Sequence, residues 1–287
     1  MEVVWAAILG TVQGLTEFLP ISSTAHLKMI PWLFGIENAY PALVSPQFDI
    51  WLHVGSFVAI LLALWPDWVA LGKGAVRGAG KEATGEDRFQ LRLVGFLLLT
   101  SVPGAIAGAL LESTIERYST PGTGPGAFQY APLVVGAAII FFGLLLWAVD
   151  TYAPDGEPMR QMTWIQALLI GLAQAAALVP GVSRSGATIT AGRALGLKRD
   201  AIAKYSFMAA LPIIGGAAVF GLRHVVTTPS LSFFSPPWLV GFAAAAIASV
   251  LAMRLMLGWV REHSFAPFAI YRVVVGVLVI AVFFLRG

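Results

Sequence analysis

The chain has 287 residues, 58% of them hydrophobic and only 11% charged, with 18 Lys and Arg against 15 Asp and Glu for a net charge of +3. A soluble domain carries roughly a quarter charged residues, so this composition excludes a disordered chain and a polybasic nucleic-acid binder and argues against a soluble enzyme. There is no cysteine, which removes disulfides, thiolate zinc sites and a cysteine nucleophile.

In chain order, the first element is broken. Residues 3–36 hold an apolar run of about four turns, Pro20, a serine-rich turn and a shorter run. Neither arm comfortably spans a bilayer, which takes about 20 apolar residues. A helix–turn–helix that dips in and returns, a re-entrant hairpin, fits better. The N-terminus shows no signal-peptide pattern, with Glu2 where a basic region belongs. Residues 48–66 predict the first span. The polar stretch 67–88, with Lys73, Arg77, Lys81, Glu82, Glu86, Asp87 and Arg88, reads as a solvated cytoplasmic loop. Residues 89–111 and 131–150 predict the next two spans, separated by a Gly-, Pro- and Thr-rich loop at 118–130. A second broken element follows at 164–197. The last spans are predicted at 201–222, 236–258 and 268–286. The expected fold is an all-α polytopic membrane protein with six transmembrane helices and two re-entrant hairpins. The many glycines and prolines, 30 and 17, argue against a bundle of straight helices alone.

The two broken elements align without a gap at an offset of 161. Gly10 then matches Gly171, Gln13 matches Gln174, Ser22 matches Ser183, Thr24 matches Ser185 and Gly35 matches Gly196. The chain thus divides into a half at 1–150 and a half at 161–287, each a hairpin followed by three spans. A hairpin does not change sides and three crossings do, so the second half is expected upside down, as an inverted repeat. With 67–88 in the cytoplasm, thirteen Lys and Arg, Arg272 among them, fall in or near cytoplasmic segments. Four (Lys28, Arg117, Arg223 and Arg286) fall outside. That bias puts both termini and the mouth of the first hairpin on the outer face.

An ionisable residue within a membrane is a functional hypothesis by default. Glu17 lies in the first hairpin, one turn after Gln13 and on the same helix face. Ser22, Ser23 and Thr24 open the next half-helix. His26 follows at a spacing that lets it face Ser22 or Ser23. In the second hairpin Ser183, Arg184, Ser185 and Thr188 take the equivalent place, with an arginine added. Serines before a helix have a plain meaning as N-caps. Two converging helix N-termini also make an anion site, and the Arg184 fork suits phosphate oxygens. A structural ion pair of Arg184 with Glu17 is the plainer alternative. So is a packed His26, and so is Gln13 as a satisfied core amide. Asp49 and His53 read as structural at the edge of the first span, Asp49 as a helix N-cap, and His224 and His263 as solvated. A hydroxyl, an imidazole, a carboxylate and an arginine in one embedded pocket fit phosphoryl transfer. No Walker, kinase or zinc motif is present, so no nucleotide is expected.

Two signatures, Gln13-Gly14-Leu15-Thr16-Glu17-Phe18-Leu19-Pro20-Ile21-Ser22-Ser23-Thr24-Ala25-His26 and Pro180-Gly181-Val182-Ser183-Arg184-Ser185-Gly186-Ala187-Thr188, resemble the bacterial undecaprenyl-diphosphate phosphatase family, also called bacitracin-resistance proteins. The stretch Ser264 to Arg272 resembles the start of that family's last span. The resemblance runs from about residue 3 to the C-terminus. It implies the inverted six-span fold. It also implies removal of one phosphate from the C55 polyprenyl diphosphate carrier outside the cytoplasm, and a Mg²⁺ or Ca²⁺ requirement. By position it implies Ser23 as nucleophile, His26 as acid/base, Glu17 as essential carboxylate and metal ligand, and Arg184 as the diphosphate-binding arginine. Ser22, Thr24, Ser183, Ser185 and Thr188 fall on hydroxyl positions around the phosphates. Gln13 stands where some members have Glu, which throws more weight on Glu17. Ala25 stands where Gly is usual. The partners implied are the lipid substrate and the bilayer of the bacterial cytoplasmic membrane, with room for a homodimer. A transporter or flippase using the same pocket is the rival class, since broken helices in inverted repeats are also a transporter plan. A non-catalytic binder of the lipid diphosphate is a third.

Overall fold

The computed structural model describes residues 1–119, 129–154, 156–226 and 234–286; side chains at 112–113, 115–117, 119 and 220–226 fall outside that description. The side chains of Arg117, Arg223 and His224 therefore lie outside the described residues. So does most of the 118–130 loop, although Tyr118 and Ser119 are still helical.

The first broken element folds as α1 (Glu2–Phe18) and α2 (Ser23–Phe34), followed by a short α3 (Ile36–Ala39). Next come α4 (Pro46–Ala63), α5 (Trp65–Gly78), α6 (Gly85–Ser119) and α7 (Ala131–Tyr152). The second broken element folds as α8 (Trp164–Ala175) and α9 (Arg184–Ala194), and the chain ends in α10 (Arg199–Val226), α11 (Pro236–Trp259) and α12 (Ala266–Arg286). Among the described residues, six helices are long and apolar enough to cross a membrane: α4, α6, α7, α10, α11 and α12. They coincide with the six predicted spans. Large apolar side chains such as Leu98, Phe141, Leu255 and Leu278 project outward from them, as a lipid-facing surface requires.

The polar stretch after the first span is not a simple loop. It contains α5, which folds back along α6. Pro66 sits in the first turn, where its missing N–H costs nothing. Leu71 is buried and Trp68 packs beside it. Their spacing gives one apolar face, while the charges occupy the other. Asp87, in the first turn of α6, accepts hydrogen bonds from Thr84 and from Arg77 Nε at 2.9 Å, and this ties the returning chain down.

Packing joins helices far apart in the chain. α1 runs along α11, and Gly10 and Gly14 make this possible: a Cβ at either would collide with main-chain atoms of Gly241 or Ala245. Small residues spaced by four let helix backbones approach in lipid. α8 lies on α6 in a similar way, with Gly171 against the Thr100 carbonyl. α7 and α12 pack on each other through Gly136 and Gly276. The first arm of each broken element thus leans on a distant span, α1 on α11 and α8 on α6.

Candidate active site

The turn of each hairpin carries the same backbone feature. Ser22 has φ 78° and Ser183 has φ 72°, the only non-glycine positive φ angles among the described residues. Such a conformation costs about 1–3 kcal/mol and persists where its surroundings fix it, commonly at functional sites. Both serines are buried N-caps, of α2 and α9. Gly35 and Gly196, also at positive φ, end the two hairpins at the same offset.

The two turns are locked face to face. The Gly181 N–H donates to Ser22 Oγ at 3.1 Å, and Ser185 Oγ donates to the Leu19 carbonyl at 3.0 Å. Arg272 of α12 completes the joint. It is fully buried, and its guanidinium donates to the carbonyls of Pro20 (3.1 Å), Gly181 (2.6 Å), Val182 (3.1 Å) and Ile139 (3.1 Å). The sequence count placed Arg272 with the cytoplasmic cations. The structure corrects this: its fork spans both hairpin turns. Twelve cations against four still remain in that count.

Joined this way, the turns surround a cavity of about 180 Å³ lined by Glu17, Ser23, Thr24, His53, Ser183 and Arg184 with an apolar wall from Ala177, Ile213, Ile214 and Ala217. Glu17 is its hub. Ser23 Oγ donates to Glu17 Oε2 at 2.6 Å, and Gln13 Nε2 donates to the same oxygen at 3.3 Å. Arg184 Nε donates to Glu17 Oε1 at 3.3 Å, and Arg184 Nη1 to the Ser206 carbonyl at 3.0 Å. Arg184 Nη2 is buried without a partner. The ion pair weighed from the sequence exists, yet it leaves part of the fork free. Phe18 of α1 also meets Phe207 of α10 edge to face at 5.4 Å.

The predicted residues separate into two groups. Glu17, Ser23, Thr24, Ser183 and Arg184 line the cavity. Ser22, Ser185, Thr188 and His26 hold the turns that shape it. Thr188 Oγ1 donates toward the Arg184 and Ser185 carbonyls and pairs with Ser206 Oγ at 2.7 Å. His26 does face Ser22, but through the main chain: Nδ1 lies 2.7 Å from the Ser22 carbonyl and Nε2 2.8 Å from the Tyr271 hydroxyl. With both nitrogens engaged, His26 is not bonded to Ser23 Oγ. Asp49 is not the N-cap of α4; Ser45 is, accepting from the Phe48 N–H at 3.2 Å. His263 is exposed and stacked on Trp259.

Sequence reasoning missed His53, Tyr271, Arg272 and Ser206. His53, read as structural, lines the cavity with Nε2 3.6 Å from Glu17 Oε2. A signal existed for His53 and Arg272, since both are ionisable residues inside apolar runs.

Among the described residues no group of three His, Cys, Asp or Glu gathers to hold a metal. Glu17 does have oxygen donors beside it. Ser23 Oγ touches it, and Gln13 Oε1 is buried without a partner. One carboxylate with neutral oxygens fits a hard cation that shares its ligands with a phosphate.

A pocket that joins an arginine with a free guanidinium nitrogen to a carboxylate-held serine, set among membrane-length helices, defines a class of integral membrane proteins equipped for phosphoryl groups. The chain belongs to the family described as bacitracin resistance protein BacA, whose model matches residues 6–278. It is 39% identical over 280 residues to the undecaprenyl-diphosphatase of Pelotomaculum thermopropionicum, covering 98% of this chain and 96% of that one. It is 39% identical to the same enzyme of Geobacter sulfurreducens over the full length of both. To that of Caldicellulosiruptor bescii it is 36% identical, over 98% of each chain.

Proposed function

We propose that the protein hydrolyses undecaprenyl diphosphate to the monophosphate and inorganic phosphate. This returns the lipid carrier to cell-wall synthesis and underlies resistance to bacitracin. The observation that carries the reading is the convergence of Ser23, bonded to Glu17, with Arg184, whose Nη2 is unpartnered, on one cavity.

The diphosphate enters with its terminal phosphorus against Ser23 Oγ. Glu17, already accepting the hydroxyl hydrogen, takes the proton as Oγ bonds to phosphorus. The anhydride P–O bond breaks and the lipid monophosphate leaves. Water then attacks the phosphoserine, phosphate departs and Ser23 recovers its proton. Arg184 Nη2 and the N-termini of α2 and α9 hold the phosphoryl oxygens as charge develops. His26 acts on this chemistry through the Ser22 carbonyl and so orients the turn. A divalent cation, Mg²⁺ or Ca²⁺, would be held by Glu17 with the Gln13 amide oxygen and the Ser23 hydroxyl beside it, and would supply neutralising charge for the diphosphate. The wall of Ile213, Ile214 and Ala217 suits the first units of a prenyl chain.

The halves are read as inverted repeats in a bacterial cytoplasmic membrane, with the cavity serving the outer side. The matched turns at offset 161 and the excess of basic residues on one set of loops support this. The same matched turns favour a second reading, a flippase or anion transporter. Purified protein in detergent separates the two, because transport has no meaning in a micelle. Phosphate release from the C55 diphosphate is expected with Mg²⁺ or Ca²⁺, absent with EDTA, and cut by about 10²–10³ in Arg184→Ala. Folded protein that releases nothing overturns the enzyme reading. Wild-type turnover in Ser23→Ala replaces the serine nucleophile with direct attack by water.

A further inference from the structure

We propose that His53 is a nitrogen ligand of the divalent cation, forming with Glu17 a mixed nitrogen–oxygen site that favours Mn²⁺ and similar first-row ions over Ca²⁺. The inference rests on the cation reading above and adds a residue that neither signature contains.

His53 lies two turns into α4, with its imidazole in the cavity. Nδ1 is 2.8 Å from the Asp49 carbonyl, which can only accept, so Nδ1 carries the hydrogen. Nε2 is then the nitrogen that faces Glu17 and the one available to an ion there. Metal-binding histidines show this arrangement, one ring nitrogen donating to a carbonyl or carboxylate while the other faces the ion. The gap from Nε2 to Glu17 Oε2 is 3.6 Å. That is too long for a hydrogen bond. It is the separation that two metal–ligand bonds of about 2.1 Å subtend at an open angle.

Gln13 supplies an independent sign. It is fully buried, its Oε1 has no partner, and its Nε2 touches Glu17 Oε2. Turning the amide would aim the oxygen at that carboxylate, as a cation there would require. Amide orientation is set by such partners. Charge agrees as well. Arg184 and Glu17 neutralise each other, so the pair alone contributes no net charge toward a diphosphate. An ion held by a neutral imidazole, a neutral amide and Glu17 does. Imidazole is a ligand of first-row ions, of Mn²⁺ more weakly than of Co²⁺ or Zn²⁺, whereas Ca²⁺ keeps to oxygen.

The test is Mn²⁺ binding to purified full-length protein in detergent, with and without inorganic pyrophosphate, read by electron spin-echo modulation for ¹⁴N coupling. Wild type and His263→Gln are expected to bind Mn²⁺ with imidazole coupling. In His53→Gln the coupling should vanish and the Kd rise by about tenfold or more. His53→Asp, which exchanges nitrogen for oxygen, should keep Mn²⁺ without the coupling and gain affinity for Ca²⁺. It also serves if the glutamine variant fails to fold. Binding that needs Glu17 but shows no ¹⁴N coupling in wild type overturns the His53 assignment and leaves the cation reading standing. Absence of Mn²⁺ binding, or binding unaffected by Glu17→Gln, removes both.

Discussion

Ser22 and Ser183 occupy equivalent turns, with nearly the same φ, yet their hydroxyls bond differently. Ser183 Oγ caps its own helix, accepting from the Gly186 N–H at 3.1 Å. Ser22 Oγ makes no such cap and accepts instead from Gly181 of the opposite hairpin. The divergence continues along the register. Glu17 matches Leu178, Ser23 matches Arg184 and His26 matches Ala187. One hairpin holds the carboxylate and the hydroxyl, the other the cation. A shared backbone supplies two converging helix N-termini, and side chains then divide the chemistry. A lone carboxylate in lipid is expensive; with Arg184 on the second hairpin, Glu17 gains its ion-pair partner only when both hairpins meet.

The largest expected effect breaks that division at Glu17. Glu17→Gln keeps the shape and can still accept the Ser23 hydrogen bond, but it cannot take the proton, so phosphate release should fall by about 10³ in folded protein. Release within about tenfold of wild type would remove Glu17 from proton transfer and leave it as a partner for Arg184. On the other side, Arg184→Lys keeps a charge and loses the planar fork. It cannot hold Glu17, the Ser206 carbonyl and a phosphate at once, and a loss of about 10²-fold is expected. Near-complete rescue by lysine would mean that charge alone matters there.

The joint between the hairpins is next in size. Arg272→Met leaves the carbonyls of Pro20, Gly181, Val182 and Ile139 without their donor, at a cost of about 3 kcal/mol. Thermal unfolding in detergent should show a drop of several degrees, and activity should fall with it. Arg272→Lys should recover only part, because an ammonium cannot reach all four carbonyls. Unchanged stability in Arg272→Met would show that the turns meet without it.

Much of this was legible in the sequence because it is local. Breaks at Pro20 and Pro180 and apolar runs of membrane length lie within short windows, and the offset of 161 compares two such windows. Glu17, Ser23 and Arg184 stood out as polar groups where polarity is costly, and the fold brings them together. What escaped depends on distant partners. Arg272 earns its place only through carbonyls 90 to 252 residues away. His26 could be spaced against Ser22 from the sequence, but Tyr271, which takes its other nitrogen, is 245 residues on. His53 was set aside for its nearness to Asp49 in a span edge, although packing of α4 against α1 carries it to Glu17. α5 was hidden by its charges; its apolar face is only one stripe wide.

The smallest expected effect sharpens the comparison most. Ser22→Ala and Ser183→Ala each remove one acceptor from a buried N–H, Gly181 in one case and Gly186 in the other. Each should cost about 1 kcal/mol in stability. Their effects on turnover should differ. Losing Ser183 Oγ frays the first turn of α9, which Thr188 and Ser206 still hold, so kcat should change by no more than about threefold. Losing Ser22 Oγ removes one of the ties between the hairpins, leaving those of Ser185 and Arg272, and lets Ser23 drift relative to Arg184. Positioning errors well under an ångström are felt in such sites, so a loss of about tenfold in kcat is expected at similar stability. Equal kcat in the two variants would mean that Arg272 and the Ser185–Leu19 bond set the spacing of the turns, and that the crossed bond of Ser22 only satisfies a buried amide.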